Sequence, residues 1–546
     1  MILQPKLFKV LKTYSKDQFV KDVISGIIVA IIALPLSIAL ALASGVGPEQ
    51  GIYTAIIAGF LISFFGGSRV QIAGPTAAFA TIVAGIVAKN GMDGLIAATI
   101  IAGILLILMG VFRLGSLIKF IPYTITTGFT AGIAVTIVIG QLKDFFGLTY
   151  PEGVRPVETM EKVEAVIEHF GTVNVQAIIV GVVCLAVLII WPYINKTIPG
   201  SLIAVIVGIL MVKGLNMKVN TIGDLYTISS SLPKLQMPHI TFGVIRAEFS
   251  DGFTIAILAA IESLLSCVVA DSMINSRHDS NMELVAQGIG NIGSALFGGI
   301  PATGAIARTA ANIKNGGRTP IAGMVHSVVL LLVLVILMPY AALIPMPTIA
   351  AILFMVAYNM CGWRNFLNLL NHAPKSDIFV LVVTFVLTVV FDLVVAIEVG
   401  MLAACVLFMK RMSDESRIRG WSYYDENSED PQNIELRQVP KAVRVYEING
   451  PMFFGVADQI ATISIRDFTK CLIIRMRGVP AIDATALHTM EELFDRCEKN
   501  GVTIIFSHVN EQPYNVMKKA GFVDRVGEEN FCAHIDLALA RAEELI

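Results

Sequence analysis

A chain of 546 residues that is 55% hydrophobic and 15% charged, with a mean hydropathy of +0.73, is too apolar for an ordinary soluble protein and reads as a polytopic membrane protein. Its net charge of −2 offers no basic surface for nucleic acid. The seven cysteines are scattered without ligand spacing, so neither a disulfide framework nor a metal centre is expected.

The amino end carries Lys6, Lys9, Lys12 and Lys16 but no short apolar segment ending in a cleavage site, so no removed signal peptide is expected and the first span does the targeting. Apolar runs at 23–43 and 51–65 read as two spans. Residues 66–81, GGSRVQIAGPTAAFAT, then break the pattern. Gly66 and Gly67 end a run, 70–73 read as extended, and Gly74-Pro75-Thr76 opens a new helix with proline in its first turn. Backbone that leaves the helix inside a bilayer is tolerated only against protein or a water-filled cavity.

Further runs cover 94–112, 120–142, 175–194 and 198–212. The second half gives 252–270 around a single Glu262, and then 284–297. The break recurs at Gly298-Gly299, followed by Ile300-Pro301-Ala302-Thr303-Gly304 and an apolar run from Ala305. Runs at 321–343, 348–361, 378–391 and 393–409 complete the set. Counting the two broken helices gives fourteen spans, seven in each half, over repeats at about 19–213 and 250–410. An odd number per half inverts the second half relative to the first, so the expected fold is a polytopic α-helical 7+7 inverted repeat. Two broken helices at corresponding positions mark a transporter binding site, and helix N-termini, each worth about half a positive charge, fix the sign of the ligand as negative.

The basic residues place the amino end, Arg69, Arg113, Lys119, Lys196, Arg277, Lys314, Arg318, Arg364, Lys375, Lys410 and Arg411 on one side, which the positive-inside rule makes the cytoplasm. The segments 144–172 and 213–251 fall on the other side. After residue 412 the composition turns polar, and 413–439, containing DENSEDPQN, reads as a linker. Residues 440–546 read as a small α/β domain, with strands at 443–448, 472–476 and 502–506, a helix carrying Leu487, Met490, Phe494 and Cys497 at helical spacing, a short helix at 512–520 ended by Gly521, and a last helix at 533–545.

Over nearly its whole length the chain resembles the SulP family, the sulfate permeases and their animal anion-exchanger relatives. The residues that carry this are PLSIALALASGVGPEQGIYTAIIAGF from Pro35, GGSRVQIAGPTAA from Gly66, AAIESLL from Ala259 and GGIPATGAIARTAANIKNGGRTP from Gly298, followed by a domain similar to STAS domains. Within the family, IESLL, AIARTAAN and NHAPKSD are most similar to the bacterial proton-coupled C4-dicarboxylate branch. The resemblance implies a core and a gate, an anion site between the third and tenth helices, a homodimer, and residence in the inner (plasma) membrane with both termini cytoplasmic.

Thr76 and Thr303 are expected to offer hydroxyls at the two helix starts, and Ala77, Gly304 and Ala305 to present backbone N–H groups. Leu36 and Leu40 match positions lining the family's site. Arg308 has two readings: it faces the anion, as a matching arginine in animal members implies, or it turns toward the cytoplasm as a partner of Glu262 or of headgroups. A charge at Glu262 costs a few kcal/mol unless it faces a cavity, pairs or is protonated. With Ala259 and Ser266 on the same helix face it forms a polar stripe read as the coupling-ion site; the resemblance favours a proton over sodium. No role is assigned to Asp392 or Glu398. In the STAS-like domain, Thr485 matches the position phosphorylated in soluble STAS proteins, but the favoured reading is that it caps the following helix.

The function expected is secondary active transport of a small anion, sulfate, bicarbonate or a C4-dicarboxylate, by elevator-type alternating access, with no enzymatic activity and no cofactor. Sodium coupling and anion exchange remain alternatives. A nucleobase transporter and a non-transporting anion sensor are the rivals.

Overall fold

The apolar runs fold as the periodicity demands, into long helices whose polar punctuation falls at their ends. The computed structural model describes residues 3–116, 121–151, 154, 156–195, 198–236, 242–391, 393–421, 439–456, 459–460, 463 and 468–546. It divides into two compact units, Met1–Met401 and Leu402–Ile546.

In the first unit, helices α1 (Lys16–Ala43) and α2 (Pro48–Phe65) precede the first break. Strand β1 (Ala73–Gly74) and a 3₁₀ turn (Ala77–Phe79) lead into the helix Ala80–Val111. Gly91, at φ 67° and ψ −165°, interrupts that helix and separates α3 (80–90) from α4 (92–111). A left-handed φ at this point suits glycine, and this one residue joins the third and fourth spans. Then come α5 (Tyr123–Phe146), α6 (Val175–Ile194) and α7 (Gly200–Gly214). The second half gives α8 (Phe242–Ile274), α9 (Ser280–Leu296), β2 (Thr303–Gly304), α10 (Ile306–Lys314), α11 (Pro320–Ala341), α12 (Met346–Cys361), α13 (Lys375–Val390) and α14 (Leu393–Glu415), the last of which runs on past Met401 into the second unit. Among the described residues these helices correspond one to one with the fourteen expected spans. Asp392 and the basic loop residues Lys119 and Lys196 lie outside the described residues.

The packing repeats with the same symmetry. α4 packs on α9 as α2 packs on α11, and α8 on α4 as α1 on α11. α5 packs on α13 as α12 packs on α6. Each pair is exchanged by swapping the halves, as an inverted repeat requires. Two groups of helices emerge, a core of α1–α4 with α8–α11, and a gate in which α5, α6 and α7 meet α12 and α13. The core is tight where small residues let backbones approach: a Cβ on Gly103 of α4 would lie 2.8 Å from the Gly288 carbonyl of α9. Large apolar residues such as Leu332, Val335 and Ile336 of α11 are exposed, as a lipid-facing stripe should be.

The second unit is built on a five-stranded sheet in the order β3 (Arg417–Trp421), β4 (Val443–Asn449), β5 (Cys471–Gly478), β6 (Thr503–Ser507), β7 (Phe531–Cys532), antiparallel only between β3 and β4. Alternation along β5 sends Leu472, Ile474 and Met476 into one apolar cluster and Cys471 and Ile473 into another. Helix α15 (Ala484–Lys499), α16 (Glu511–Lys519) and α17 (Phe522–Val526) cover the first face, and α18 (Ile535–Leu545) covers the second. Strand β3 corrects the linker assignment. Residues 417–421 were expected to be linker, but they form an edge strand whose charged composition hides its pattern; of that linker, 422–438 lies outside the described residues.

Candidate functional site

The two breaks meet. β1 pairs antiparallel with β2, Ala73 opposite Gly304 and Gly74 opposite Thr303, so the helices that follow start beside each other in the middle of the core. Non-helical backbone buried in a membrane needs partners for its polar groups, and neighbouring side chains provide them. Glu283 of α9 accepts from the N–H groups of Gly67 (2.9 Å) and Ser68 (3.1 Å) with one oxygen, and from the amides of Gln71 (2.8 Å) and Gln287 (2.9 Å) with the other. Thr309 Oγ1 accepts from the Ile72 N–H, and Asn312 donates to the Val70 carbonyl. In the second break, Thr54 accepts from the Ile300 N–H, and Asn291 both accepts from the Ala302 N–H and donates to its carbonyl.

Each expected site residue can now be located. Thr76 is extended (φ −127°, ψ 158°) at the N-cap position of the 3₁₀ turn that begins at Ala77, so Pro75 lies before the helix and not in its first turn. The Thr76 hydroxyl does not cap. It donates to Glu262 Oε2 on α8 at 3.0 Å. Ala305 is the N-cap of α10, also without a side-chain cap, and its N–H donates to the Ile72 carbonyl at 2.9 Å. Thr303 and Gly304 precede that helix within β2, and both are engaged by Ser263. The Thr303 and Ser263 hydroxyls are 2.6 Å apart, and the Gly304 N–H donates to Ser263 Oγ at 3.1 Å. The expectation that Gly304 presents a free N–H is therefore corrected, because a neighbouring hydroxyl already uses it. The open N–H groups are those of the first turns, at Ala77 and Ala78 on one helix and at Ile306, Ala307 and Arg308 on the other, which a helix leaves without internal partners.

Arg308 is 3% exposed and points across the junction, not out to water. Its Nη2 donates to the Pro75 carbonyl (3.2 Å) and to Ser37 on α1 (3.4 Å), while Nη1 has no hydrogen-bond partner. A guanidinium with an unused donor thus lies against the first break. Leu40 is buried in the core cluster, and Leu36, one turn earlier on α1, is half-buried against it.

Ser266 does not join Glu262: its hydroxyl donates to Thr309 at 3.4 Å. The residue that shares the site with Glu262 is Ser263, its neighbour in sequence, so consecutive side chains of α8 hold opposite breaks. Sequence reading missed Ser263, Gln71, Glu283, Asn291 and Asn312. A polar residue within several positions of a break was a signal for Gln71, Asn291 and Asn312, whereas Ser263 and Glu283 lie far from both breaks in sequence and carried none. In the second unit the capping reading of Thr485 is corrected. Asp483 caps α15, accepting from the Ala486 N–H at 2.8 Å, and Thr485 is exposed in the first turn. Among the described residues no group of histidine, cysteine and carboxylate side chains could hold a metal ion.

Comparison with known proteins follows the same division of the chain. The model of the sulfate permease family matches residues 19–384, and that of the STAS domain matches residues 433–540. YvdB of Bacillus subtilis (strain 168) is 40% identical, with 96% of this chain and 98% of that protein covered. The bicarbonate transporter BicA of Picosynechococcus sp. is 31% identical, with 87% of this chain and 86% of that protein covered. The murine Slc26a9 anion transporter, solved in the inward-facing state, superposes with a TM-score of 0.88 at 19% identity, covering 99% of this chain and 94% of that one, a likeness of fold.

Proposed function

Since the chain belongs to the sulfate permease family and carries a STAS domain after its membrane domain, we propose that it is a secondary active transporter of a small oxyanion, coupled to protons through Glu262. The observation that carries this reading is the pairing of β1 with β2, which brings two helix N-termini, Arg308 and Glu262 to one point. Two helix starts offer roughly one unit of positive charge, and Arg308 adds a full one with a donor to spare. That excess suits an anion and not a neutral nucleobase. The anion is held at Thr76, Ala77 and Arg308, with Thr303, Gly304 and Ala305 shaping the second helix start and Leu36 and Leu40 forming the apolar wall.

Transport proceeds by elevator-like movement of the core against the gate, with both breaks travelling as one body because β1–β2, Arg308–Pro75 and Asn312–Val70 tie them together. The protein resides in the inner membrane as a homodimer with both termini cytoplasmic, in keeping with the distribution of its basic residues. The substrate is sulfate, bicarbonate or a C4-dicarboxylate. Uptake of sulfate, bicarbonate, succinate and fumarate into proteoliposomes under an imposed pH gradient tests the proposal. Accumulation of at least one of them is expected; binding without movement would make the protein a sensor, and accumulation driven by sodium alone would replace the proton.

A further inference from the structure

A cavity of about 320 Å³ opens at the end of the core remote from the helix starts, beneath the amino-terminal segment. Thr13, Tyr14 and Gln18 line it from that segment, Arg69 from the first break, Ile274 from the end of α8 and Arg318 from the turn after α10. Arg69 Nε is buried and has no hydrogen-bond partner. Arg318 uses Nη1 on the carbonyls of Ile313 (2.7 Å) and Gly317 (2.8 Å). Asp22, the carboxylate closest in the network, is already occupied by the Tyr14 hydroxyl, the Gln18 amide, the Arg318 backbone N–H and the Thr319 hydroxyl. Among the described residues no ion pair joins Arg69 or Arg318 to a carboxylate. Two guanidinium groups therefore line a polar cavity with no carboxylate bonded to either of them, in a setting where planar, forked donors match a tetrahedral oxyanion.

We propose that this cavity binds a phosphate group, presented by an anionic phospholipid headgroup or by free inorganic phosphate. The segment above it has the pattern of a membrane-surface anchor: Phe8, Leu11, Phe19 and Val20 are exposed, interleaved with exposed Lys9, Lys12 and Lys16. The backbone of Lys6 donates to the Gly66 carbonyl and its ammonium to the Arg277 carbonyl, so the segment is pinned to the first break and to the turn after α8. A phosphate drawing Arg69 and Arg318 together clamps the ends of both broken stretches opposite the transport site. Its occupancy is then read as a change in transport rate.

Full-length protein tests this in two arms. In detergent, inorganic phosphate is titrated and the melting temperature followed, since a ligand of the folded state stabilises it. In proteoliposomes, uptake is compared between phosphatidylcholine alone and phosphatidylcholine with phosphatidylglycerol. A response to phosphate alone identifies the free ion and a response to phosphatidylglycerol alone the headgroup; either supports the site. Arg69→Gln should weaken the response about tenfold, and Arg69→Lys, which keeps the charge and loses the fork, less than that. Thr303→Val, at the transport site, should leave the phosphate-induced shift in melting temperature unchanged. A parent that responds to neither arm overturns the proposal, as does Arg69→Gln responding like the parent, or a phosphate response lost in Thr303→Val and kept in Arg69→Gln.

Discussion

Thr76 Oγ1 lies 3.0 Å from Glu262 Oε2, so the residue that begins the first half-helix is bonded to the one carboxylate within the apolar stretch 252–270 of α8, while Ser263, next in sequence, bonds Thr303 beside the second half-helix. One turn of α8 thus touches both breaks. Any change of charge at Glu262 is felt at the helix start through a hydroxyl that can donate to a carboxylate or accept from a carboxylic acid. This geometry gives coupling a physical route that needs no long pathway.

Thr303→Val keeps the shape of the side chain and removes the hydroxyl that meets Ser263. A lost hydrogen bond of this kind is worth about 1 kcal/mol, so anion affinity should fall roughly five- to tenfold with expression near normal. Gly304→Val should behave differently: a Cβ there would overlap the Gln71 side chain, which is itself held by Glu283 and Cys267. Yield and monodispersity after detergent extraction separate the two, and a well-folded Gly304→Val would show that the pairing of β1 and β2 yields more easily than its geometry implies.

Glu283 carries stability and not recognition. Its two oxygens satisfy four donors, two of them backbone N–H groups of the first break, and it is fully buried. Glu283→Ala strands those donors at about 1–3 kcal/mol for each buried group left unpaired. The expected outcome is a protein recovered in low yield or melting many degrees lower. Normal melting with weakened anion binding would instead put Glu283 in the site.

The parts of this architecture that were legible in the sequence are those where a local rule is broken. Gly66-Gly67, Gly74-Pro75 and Gly298-Gly299 interrupt apolar runs, and Glu262 is the lone acid within one. Glu283 was not legible because it borders the run 284–297, where a charge reads as a helix end, yet the helix begins at Ser280 and buries it. The point where the third span ends was not legible either, because the chain turns on Gly91 alone, with Lys89, Asn90 and Asp93 around it. The ends of the soluble sheet escaped for opposite reasons. β3, RIRGW, carries two arginines and a glycine within five residues, and β7 is two residues long, too short to carry a period.

Removal of residues 416–546 deletes β3 with the rest of the sheet and spares the whole of α14. The membrane unit has its own buried cluster and should insert, with lower transport and weaker dimerisation. Cross-linking and uptake measured side by side check this, and a truncation equal to the parent in both would remove any regulatory role from the STAS domain.

Thr485 is exposed in the first turn of α15, whereas Asp483 caps that helix and also accepts from the Phe454 N–H at 2.9 Å. Asp483→Ala should therefore cost about 1–2 kcal/mol of helix stability, and Thr485→Ala almost none. A negative charge at Thr485 faces the positive end of the helix and should be tolerated, so Thr485→Glu should fold normally. Hydrogen exchange over 483–490 in the full chain gives the comparison, and equal protection in the two alanine variants would show that the Asp483 cap is not what holds the helix start.

Glu262→Gln decides whether anion uptake is tied to protons. In the parent an ionised Glu262 and an anion at Thr76 repel each other across a short distance, so anion and proton load together and each raises the affinity for the other by the same factor. Uptake by the parent should then quicken as the pH on the loading side falls, and an imposed proton gradient should concentrate substrate. Glutamine keeps the length and the hydrogen bond to Thr76 but holds the neutral state at every pH. The variant should bind anion, exchange it across the membrane, lose the pH dependence and accumulate nothing. Exchange survives because an anion returning in place of another needs no net proton movement. If Glu262→Gln in proteoliposomes still concentrates substrate in response to the gradient, the proton travels on another residue. The buried His326, whose two ring nitrogens lack hydrogen-bond partners, would be the next to replace.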